Sequence, residues 1–422
     1  MIGAGAAGLV AAAFAASGGA RVTLIERTKD GGRKILISGG GRCNVLPAAL
    51  APDRFVTDSP AHLLRGMLRA WPLHEQRAFF ENDLQIPLAL EEESAKLFPR
   101  SNKAKDVRDA LVAFARSKGA AIHFGTTVTD LTPSAGGAGK AGAAGTFTLQ
   151  TSSGEMSVDR VIVATGGLSV PATGSDGVGL DIAKRLGHRM VDTYPALTPI
   201  VGSDDAHAAL AGVSLNVRLR AKIGSLGHRN RGGSGRNTET FGGFLFTHRG
   251  YSGPSVLDVS HLTERGQAPV IRAQWSILTA AEWEKQFEVP SASVLTILSK
   301  HIPARLGEQL MREANIPDDR RTSSLKRSER LALIDALTAY PLPWSGNEGY
   351  KKAEVTGGGV ALSEVDSKTL ESRRVAGLYL CGEMLDAFGP IGGHNFSWAW
   401  ATGRAAGLGA ARRETRGNGS GG

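Results

Sequence analysis

The sequence predicts an α/β protein in which a dinucleotide-binding domain of parallel strands and covering helices is interrupted by an inserted domain of antiparallel β structure plus helices. Three observations predict it. The chain opens on Gly3-Ala4-Gly5-Ala6-Ala7-Gly8, the G-x-G-x-x-G spacing of a strand-to-helix phosphate turn, with an acid about twenty residues further on at Glu26. From about residue 191 the pattern changes to period-two alternation and then to helical spacing. From about residue 350 glycine groups, an apolar strand and a long helix return, so the first domain is resumed. The expected boundaries are 1–190 with 350–422 for the dinucleotide-binding domain and 191–349 for the insertion, its β part at about 191–275 and its helical part at about 280–340.

The opening motif has a physical division of labour. Gly3 permits the tight turn, Gly5 lets backbone approach a phosphate, and Gly8 lets the helix pack closely, with Ala7 among the first helical amides. Residues 9–17 read as a helix of small side chains ended by Gly18-Gly19, and residues 21–25 as an apolar strand closing on Glu26, a carboxylate placed to accept both hydroxyls of an adenosine ribose. Only Met1 and Ile2 precede the first glycine, where a strand of about five residues is expected, so the sequence suggests a native start further upstream.

Next comes Gly31-Gly32-Arg33-Lys34-Ile35-Leu36-Ile37-Ser38-Gly39-Gly40-Gly41-Arg42-Cys43-Asn44. Three consecutive glycines weaken a helix or strand, so this stretch reads as a loop that gains from close backbone approach to a cofactor, flanked by Arg33, Lys34 and Arg42. Residues 61–82 and 106–117 carry helical spacing and read as packing helices; 121–124, 126–131 and 146–151 read as strands, the last two joined by the Gly/Ala loop 134–145. The branched run 158–164 reads as a buried parallel strand that delivers Thr165 and Gly166 to the ligand edge of the sheet. Ser175 and Asp176 before a helix at 179–186 fit either a ligand contact or a turn and cap.

In the insertion, 215–223 and 241–246 read as strands around a basic, glycine-rich loop, and 293–298, 306–314 and 325–337 as helices. This part is expected to cover the cofactor and shape a substrate cavity. The resumed domain brings Thr356-Gly357-Gly358-Gly359, a strand at 377–381, then Gly382, Glu383 and Asp386, then Gly392-Gly393-His394-Asn395 opening a helix to about residue 411. Glu383 and Asp386 read either as ligand-binding acids or as a surface pair. His394 reads either as a satisfied histidine or as an acid beside the cofactor, the single weak candidate for a catalytic residue.

Composition excludes several classes. With 422 residues, 41% hydrophobic and 21% charged, the chain describes a globular protein of two or three domains. Two cysteines, Cys43 and Cys381, make no disulfide framework and read as buried small residues; no spacing suggests a metal site. No apolar run reaches membrane-spanning length, and a reducing cytoplasm is the default expectation. The formal charge of +9 concentrates in residues 218–249 and 320–330, where Gly, Ser and Asn interleave the first cluster; it reads as a solvated loop, with a nucleic-acid partner the less favoured alternative. The end from Arg412 reads as a disordered tail.

The stretch Gly32 to Asn44, with Leu97-Phe98-Pro99-Arg100-Ser101, Gly243-Phe244-Leu245-Phe246-Thr247 and the C-terminal glycine groups, resembles a bacterial family of NAD(P)/FAD-dependent oxidoreductases that includes aminoacetone oxidases and bile-acid dehydro-reductases. The resemblance touches nearly the whole chain. It implies a two-dinucleotide-fold-type FAD-binding domain, FAD as the cofactor, and backbone at Val128 against the adenine. Gly3, Gly5, Ala7, Gly8 and Glu26 would then hold the adenosine diphosphate half. Arg33, Lys34, Gly40, Gly41, Arg42, Cys43, Asn44, Thr165 and Gly166 would line the middle, and Gly382, Glu383, Asp386, Gly392, Gly393 and Asn395 the flavin end. Because no second G-x-G-x-x-G appears, NAD(P)H is expected only as a transient donor. The expected activity is hydride transfer between flavin and a small organic substrate; an RNA-acting flavoprotein and a non-catalytic flavin module are the alternatives.

Overall fold

The computed structural model describes residues 1–133, 146–203, 207–222, 238–264 and 269–412. The Gly/Ala loop 134–145, the centre of the basic loop at 223–237 and the tail beyond Arg412 lie outside the described residues. The chain divides into two compact units, one of Met1–Thr193 with Val355–Gly422 and one of Tyr194–Glu354.

The first unit is built on a parallel sheet. Ile2 bridges in parallel to Ile25 on one side and Val163 on the other. Outward from these, Thr23–Glu26 pairs with Ala121–Phe124, and Val161–Val163 with Leu378–Leu380, all parallel. The short opening segment is thus the centre of the sheet, where the G-x-G-x-x-G turn needs it. Val161–Val163 and Leu378–Leu380 are buried at every position, as strands covered on both faces must be. Antiparallel pieces flank the sheet: Val128–Pro133, Phe147–Thr151 and Gly154–Val158 form one, and Leu46–Pro47, Lys96–Pro99 and Leu88–Glu91 another.

Two helices meet backbone to backbone in this unit. A Cβ at Gly403 would stand 2.4 Å from the Ala7 carbonyl oxygen, and one at Gly407 2.4 Å from that of Ala11. Residues four apart share a helix face, so this pair of glycines seats the C-terminal helix, His394–Ala411, on the first helix, Ala6–Ser17. The small side chains that make the first helix apolar all round are what allow the contact.

Two local expectations change. The run 158–164 is not one strand: Val158 ends the hairpin strand Gly154–Val158, and the parallel strand begins at Val161. Asp159 and Arg160 break it, the Arg160 guanidinium donating to the carbonyls of Ala410 at 2.6 Å and Arg412 at 2.5 Å. The stretch after Gly32 is not an open loop but a short helix, Arg33–Ile37, anchored by fully buried Ile35 and followed by a tight turn over Ser38–Gly41.

The second unit holds a seven-stranded antiparallel sheet, its centre formed by Val270–Gln274, Ser214–Lys222 and Thr238–Thr247. Phe244, Phe246, Trp275, Trp283 and Leu333 form its core with helices Ala280–Gln286, Ala304–Glu313 and Arg327–Ala339. The first of these helices begins with a reciprocal cap, in which Thr279 and Glu282 satisfy each other's amides. Its Thr-x-x-Glu signature stands in the sequence and passes unnoticed in a reading based on apolar spacing alone.

Candidate functional site

The opening turn separates its glycines by what lies in front of them. At Gly3, where φ is 97°, a Cβ would be 2.6 Å from the Ala164 carbonyl oxygen; at Gly8 it would be 1.9 Å from the Gly3 carbonyl oxygen. At Gly5 it would meet nothing within 4 Å. Two glycines are therefore filled against protein and the one between them faces open space, beside the unpaired amides of Ala6, Ala7 and Gly8 at a helix N-terminus. That is an anion cradle.

Glu26 is fixed to the same turn. Its Oε2 accepts the Ala4 amide at 2.7 Å and its Oε1 the Thr28 amide at 2.7 Å. Each oxygen keeps a lone pair, so the carboxylate is oriented and still able to receive a hydroxyl. Just past the neighbouring strand Ala121–Phe124 the Thr126 amide donates to the Glu26 carbonyl at 3.0 Å, which places the start of Val128–Pro133 close by. We expect Glu26→Ala to strip most of the flavin during gel filtration. A flavin-to-protein absorbance ratio equal to wild type would refute the ribose role.

The segment after the acid stacks on the turn, the Gly32 amide donating to the Ala4 carbonyl at 2.8 Å. Its cations all have protein partners: Arg33 meets Asp30 at 3.1 Å, Lys34 meets Glu383 at 2.5 Å, and Arg42 meets Glu91 at 2.9 Å while its guanidinium lies 4.0 Å over the Phe98 ring. Their side chains hold the loop in shape, and the backbone they hold carries Gly40, before which there is nothing within 4 Å, and Gly41. Cys43 is fully buried and burial pushes its thiol up to about 12, so it is inert. The Asn44 Oδ1 is buried without a partner.

Glu383 is a hub. Beyond Lys34, its Oε1 accepts the Ser169 hydroxyl at 2.5 Å and the Thr356 amide at 3.0 Å, and Thr356 Oγ1 accepts the amides of Leu168 and Ser169. Segments at 34, 168–169, 356 and 383 are joined in this way, next to Thr165 and Gly166, and the Thr165 hydroxyl is itself buried without a partner. Asp176 accepts the Val178 amide and pairs with Arg27, which favours the turn reading of that stretch over a ligand contact.

At the other end Asp386 is 2% exposed, so the surface-pair reading falls. Its Oδ2 accepts the Ser59 hydroxyl at 2.8 Å, the Asp58 amide at 3.1 Å and the Thr57 hydroxyl at 3.2 Å. Burial disfavours its ionised form and pushes its carboxyl up to about 6 despite those donors. Gly392 and Gly393 lead into the C-terminal helix, and Asn395 spends its amide on Gly389, accepting from its N–H at 2.8 Å and donating to its carbonyl at 2.9 Å. Gly382 is fixed by Thr402, which accepts its amide at 3.0 Å, and by Trp398, which donates to its carbonyl at 3.1 Å. His394 is 5% exposed; burial, then the Arg54 charge, push it down to about 4, so it is neutral at pH 7 and holds no imidazolium proton to give. Thr57, Ser59 and Ser169 escape sequence reasoning, although Thr57-Asp58-Ser59-Pro60 is a recognisable turn cluster. Among the described residues no group of metal-ligating side chains is present and no helix is long and apolar enough to cross a membrane.

Three comparisons bear on this arrangement. The family model described as HI0933-like protein Rossmann domain matches residues 1–409. The chain is 32% identical over 409 residues to the ribosomal RNA dihydrouridine synthase of Escherichia coli (strain K12), covering 95% of each chain. It is 32% identical over 425 residues to the 3-dehydro-bile acid delta(4,6)-reductase of Clostridium scindens, covering 98% of each. Among solved structures, a 3-ketosteroid delta1-dehydrogenase from Sterolibacterium denitrificans aligns at a TM-score of 0.51 and 11% identity over 97% of this chain and 98% of that one, a likeness of fold.

The cofactor these findings give is FAD. The residues present fit it: a bare Gly5 before open space, an oriented buried acid at Glu26, and uncommitted buried polar atoms on Asn44 and Thr165 are features a protein core alone leaves unexplained.

Proposed function

Because the chain belongs to the HI0933-like family of FAD-dependent oxidoreductases, we propose that it adds a hydride and a proton, two electrons and two protons in all, across a carbon–carbon double bond conjugated to a carbonyl group. The observation that carries this reading is that two full-length relatives with dissimilar substrates, a nucleic-acid base and a bile acid, bear names describing one kind of reaction, saturation of a ring double bond next to a carbonyl. When bound, FAD supplies the hydride, and NADH or NADPH recharges it.

The chain's own residues bind and orient. Gly5 and the amides of Ala6, Ala7 and Gly8 receive the diphosphate, and Glu26 the ribose. Gly40, Gly41, Cys43 and Asn44 with Thr165 and Gly166 line the middle by backbone and by free polar atoms; Arg33, Lys34, Arg42 and Glu383 brace them. Val128 presents backbone to the adenine. Asp386 binds a ribityl hydroxyl, and the Gly392, Gly393 and Asn395 amides at the helix N-terminus stabilise negative charge at the pyrimidine end. The proton comes from solvent rather than from an imidazolium at His394.

The test is anaerobic. NADH or NADPH is expected to bleach the flavin band, and a cyclic enone to restore it, while the corresponding isolated alkene does not. A band unchanged by both donors, or restored equally by both alkenes, refutes the reading.

A second reading has its own support: the double bond is that of a uracil in ribosomal RNA, as the name of the Escherichia coli relative and the charge of +9 both favour. Deleting the gene should then remove a dihydrouridine from ribosomal RNA, read by mass spectrometry of nuclease fragments. Unchanged dihydrouridine content sinks this reading and leaves the first standing.

A further inference from the structure

We propose that the outward face of the antiparallel sheet in residues 194–354 is a docking surface for single-stranded RNA, with Phe241 as the platform on which a base stacks. The inference rests on the second reading above and names where on this chain the nucleic acid is held.

The face follows from strand alternation. Along Ser214–Lys222, Thr238–Thr247 and Val270–Gln274, the side chains of Val217, Leu219, Phe244, Phe246, Ile271 and Ala273 turn into the core. Their alternates turn outward, and the register lines them up in rows. In one row Arg272 opposes Arg220, which opposes Glu239; in the next Gln274 opposes Arg218, which opposes Phe241. Directly opposed residues share a face, so three arginines, one acid and one aromatic ring make a contiguous patch with a net charge of about +2.

Phe241 is what needs explaining. It is 58% exposed although it sits on an interior strand of a seven-stranded sheet, where its neighbours Phe244 and Phe246 are 1% and 0% exposed. Leu245 further along the same strand is 38% exposed. The Arg218 guanidinium stands 5.9 Å from the Phe241 ring centroid, while its Nη1 reaches Glu239 at 2.6 Å, and the Arg220 Nε reaches the other oxygen of that acid at 2.8 Å. One carboxylate therefore gathers two guanidinium forks beside an uncovered ring. A guanidinium fork matches a phosphate, and a ring face accepts any unpaired base. A sheet face bearing an uncovered aromatic ring suits a single strand, whose bases are free to stack, and not a duplex, whose bases are already stacked. The positive charge selects the polyanion over an apolar partner.

The experiment uses the full-length flavin-loaded protein and the fluorescence anisotropy of labelled single-stranded oligouridylate. Wild type is expected to bind it more tightly than a duplex of equal length. Phe241→Ala should weaken binding about tenfold, as the loss of one stacked base does, while Phe241→Tyr retains it. The double variant Arg218→Gln, Arg220→Gln should reduce the slope of log affinity against log salt by roughly 2. Flavin content and enone reduction should stay at wild-type levels in all three, which separates lost docking from lost folding. Binding by wild type that neither Phe241→Ala nor the double variant alters overturns the docking face and leaves the ribosomal RNA reading intact. Absence of binding at low salt overturns the docking face, while the dihydrouridine content of the deletion strain decides the ribosomal RNA reading separately. Displacement of the RNA by polyglutamate at equal charge concentration overturns the proposal by showing a generic anion surface. RNA binding lost on Phe241→Ala, in a strain whose deletion leaves dihydrouridine unchanged, upholds the dock and removes the ribosomal reading alone.

Discussion

Gly5→Val is expected to give a folded but colourless protein. A Cβ at Gly5 meets nothing within 4 Å, so the substitution meets no protein atom there and should leave the circular dichroism spectrum near wild type and the melting temperature near that of flavin-free wild type. The branched side chain instead enters the space the diphosphate needs, displacing it from the Ala6, Ala7 and Gly8 amides. Losing two such charge-assisted hydrogen bonds, at about 1.5–3 kcal/mol each, corresponds to a hundredfold or greater loss of FAD affinity. Gly8→Ala should do the reverse of this in kind. Its Cβ would stand 1.9 Å from the Gly3 carbonyl oxygen, so backbone must move, at a cost of about 1–3 kcal/mol or more in stability. Isothermal titration with FAD and a thermal melt on both variants decide the matter. A Gly5→Val protein that purifies fully yellow would contradict the cradle; a Gly8→Ala protein as stable as wild type would contradict the packing role.

The second large effect is a pair of opposed pH dependences. Burial raises Asp386 to about 6, well above the ordinary carboxylate range, so between roughly pH 4 and 6 the folded protein keeps a proton that the unfolded chain releases. Its contribution is fully present below pH 4 and is lost as pH rises through 6, a fall of up to about 3 kcal/mol at about 1.4 kcal/mol per unit. Burial lowers His394 to about 4 from 6.5, so in the same range the unfolded chain takes up a proton that the folded one refuses. Its contribution is present above pH 6.5 and is lost as pH falls through 4, again by up to about 3 kcal/mol. In wild type the two slopes oppose each other. Asp386→Asn should therefore uncover stability that rises with pH across this window, and His394→Gln stability that falls with it. Urea melts at half-unit intervals from pH 4 to 7 read this directly; single variants whose slopes match wild type would show that neither group titrates as its burial requires.

Both predictions turn on facts of different visibility. The spacing Gly3-x-Gly5-x-x-Gly8 and the acid at Glu26 are local and stand in the sequence. So does the coarse order of a parallel-sheet domain, an antiparallel and helical insertion, and a return of the first domain, which the fold bears out. FAD follows from the signature stretch by resemblance, and the family membership supports it. What the glycine at 3 presses against is not visible in the same way, because Ala164 reaches Gly3 only once the strand that contains Val163 has paired with Ile2.

The charged residues show the limit most clearly. Arg33, Lys34 and Arg42 read in sequence as cations offered to a ligand, yet each is taken by an acid, Lys34 by one 349 residues away. Glu383 and Asp386 stand three residues apart and look alike in sequence, but one becomes the centre of an ion-paired hub and the other a buried acid held by Ser59, Asp58 and Thr57. His394 reads in sequence either as a satisfied histidine or as an acid beside a cofactor, and its burial, which holds the ring neutral, is decided only by the fold. Periodicity, turn chemistry and glycine spacing are set by neighbours along the chain, so they are legible before folding. Charge state and pairing are set by desolvation and by partners brought from elsewhere in the chain, and those exist only in the assembled tertiary structure.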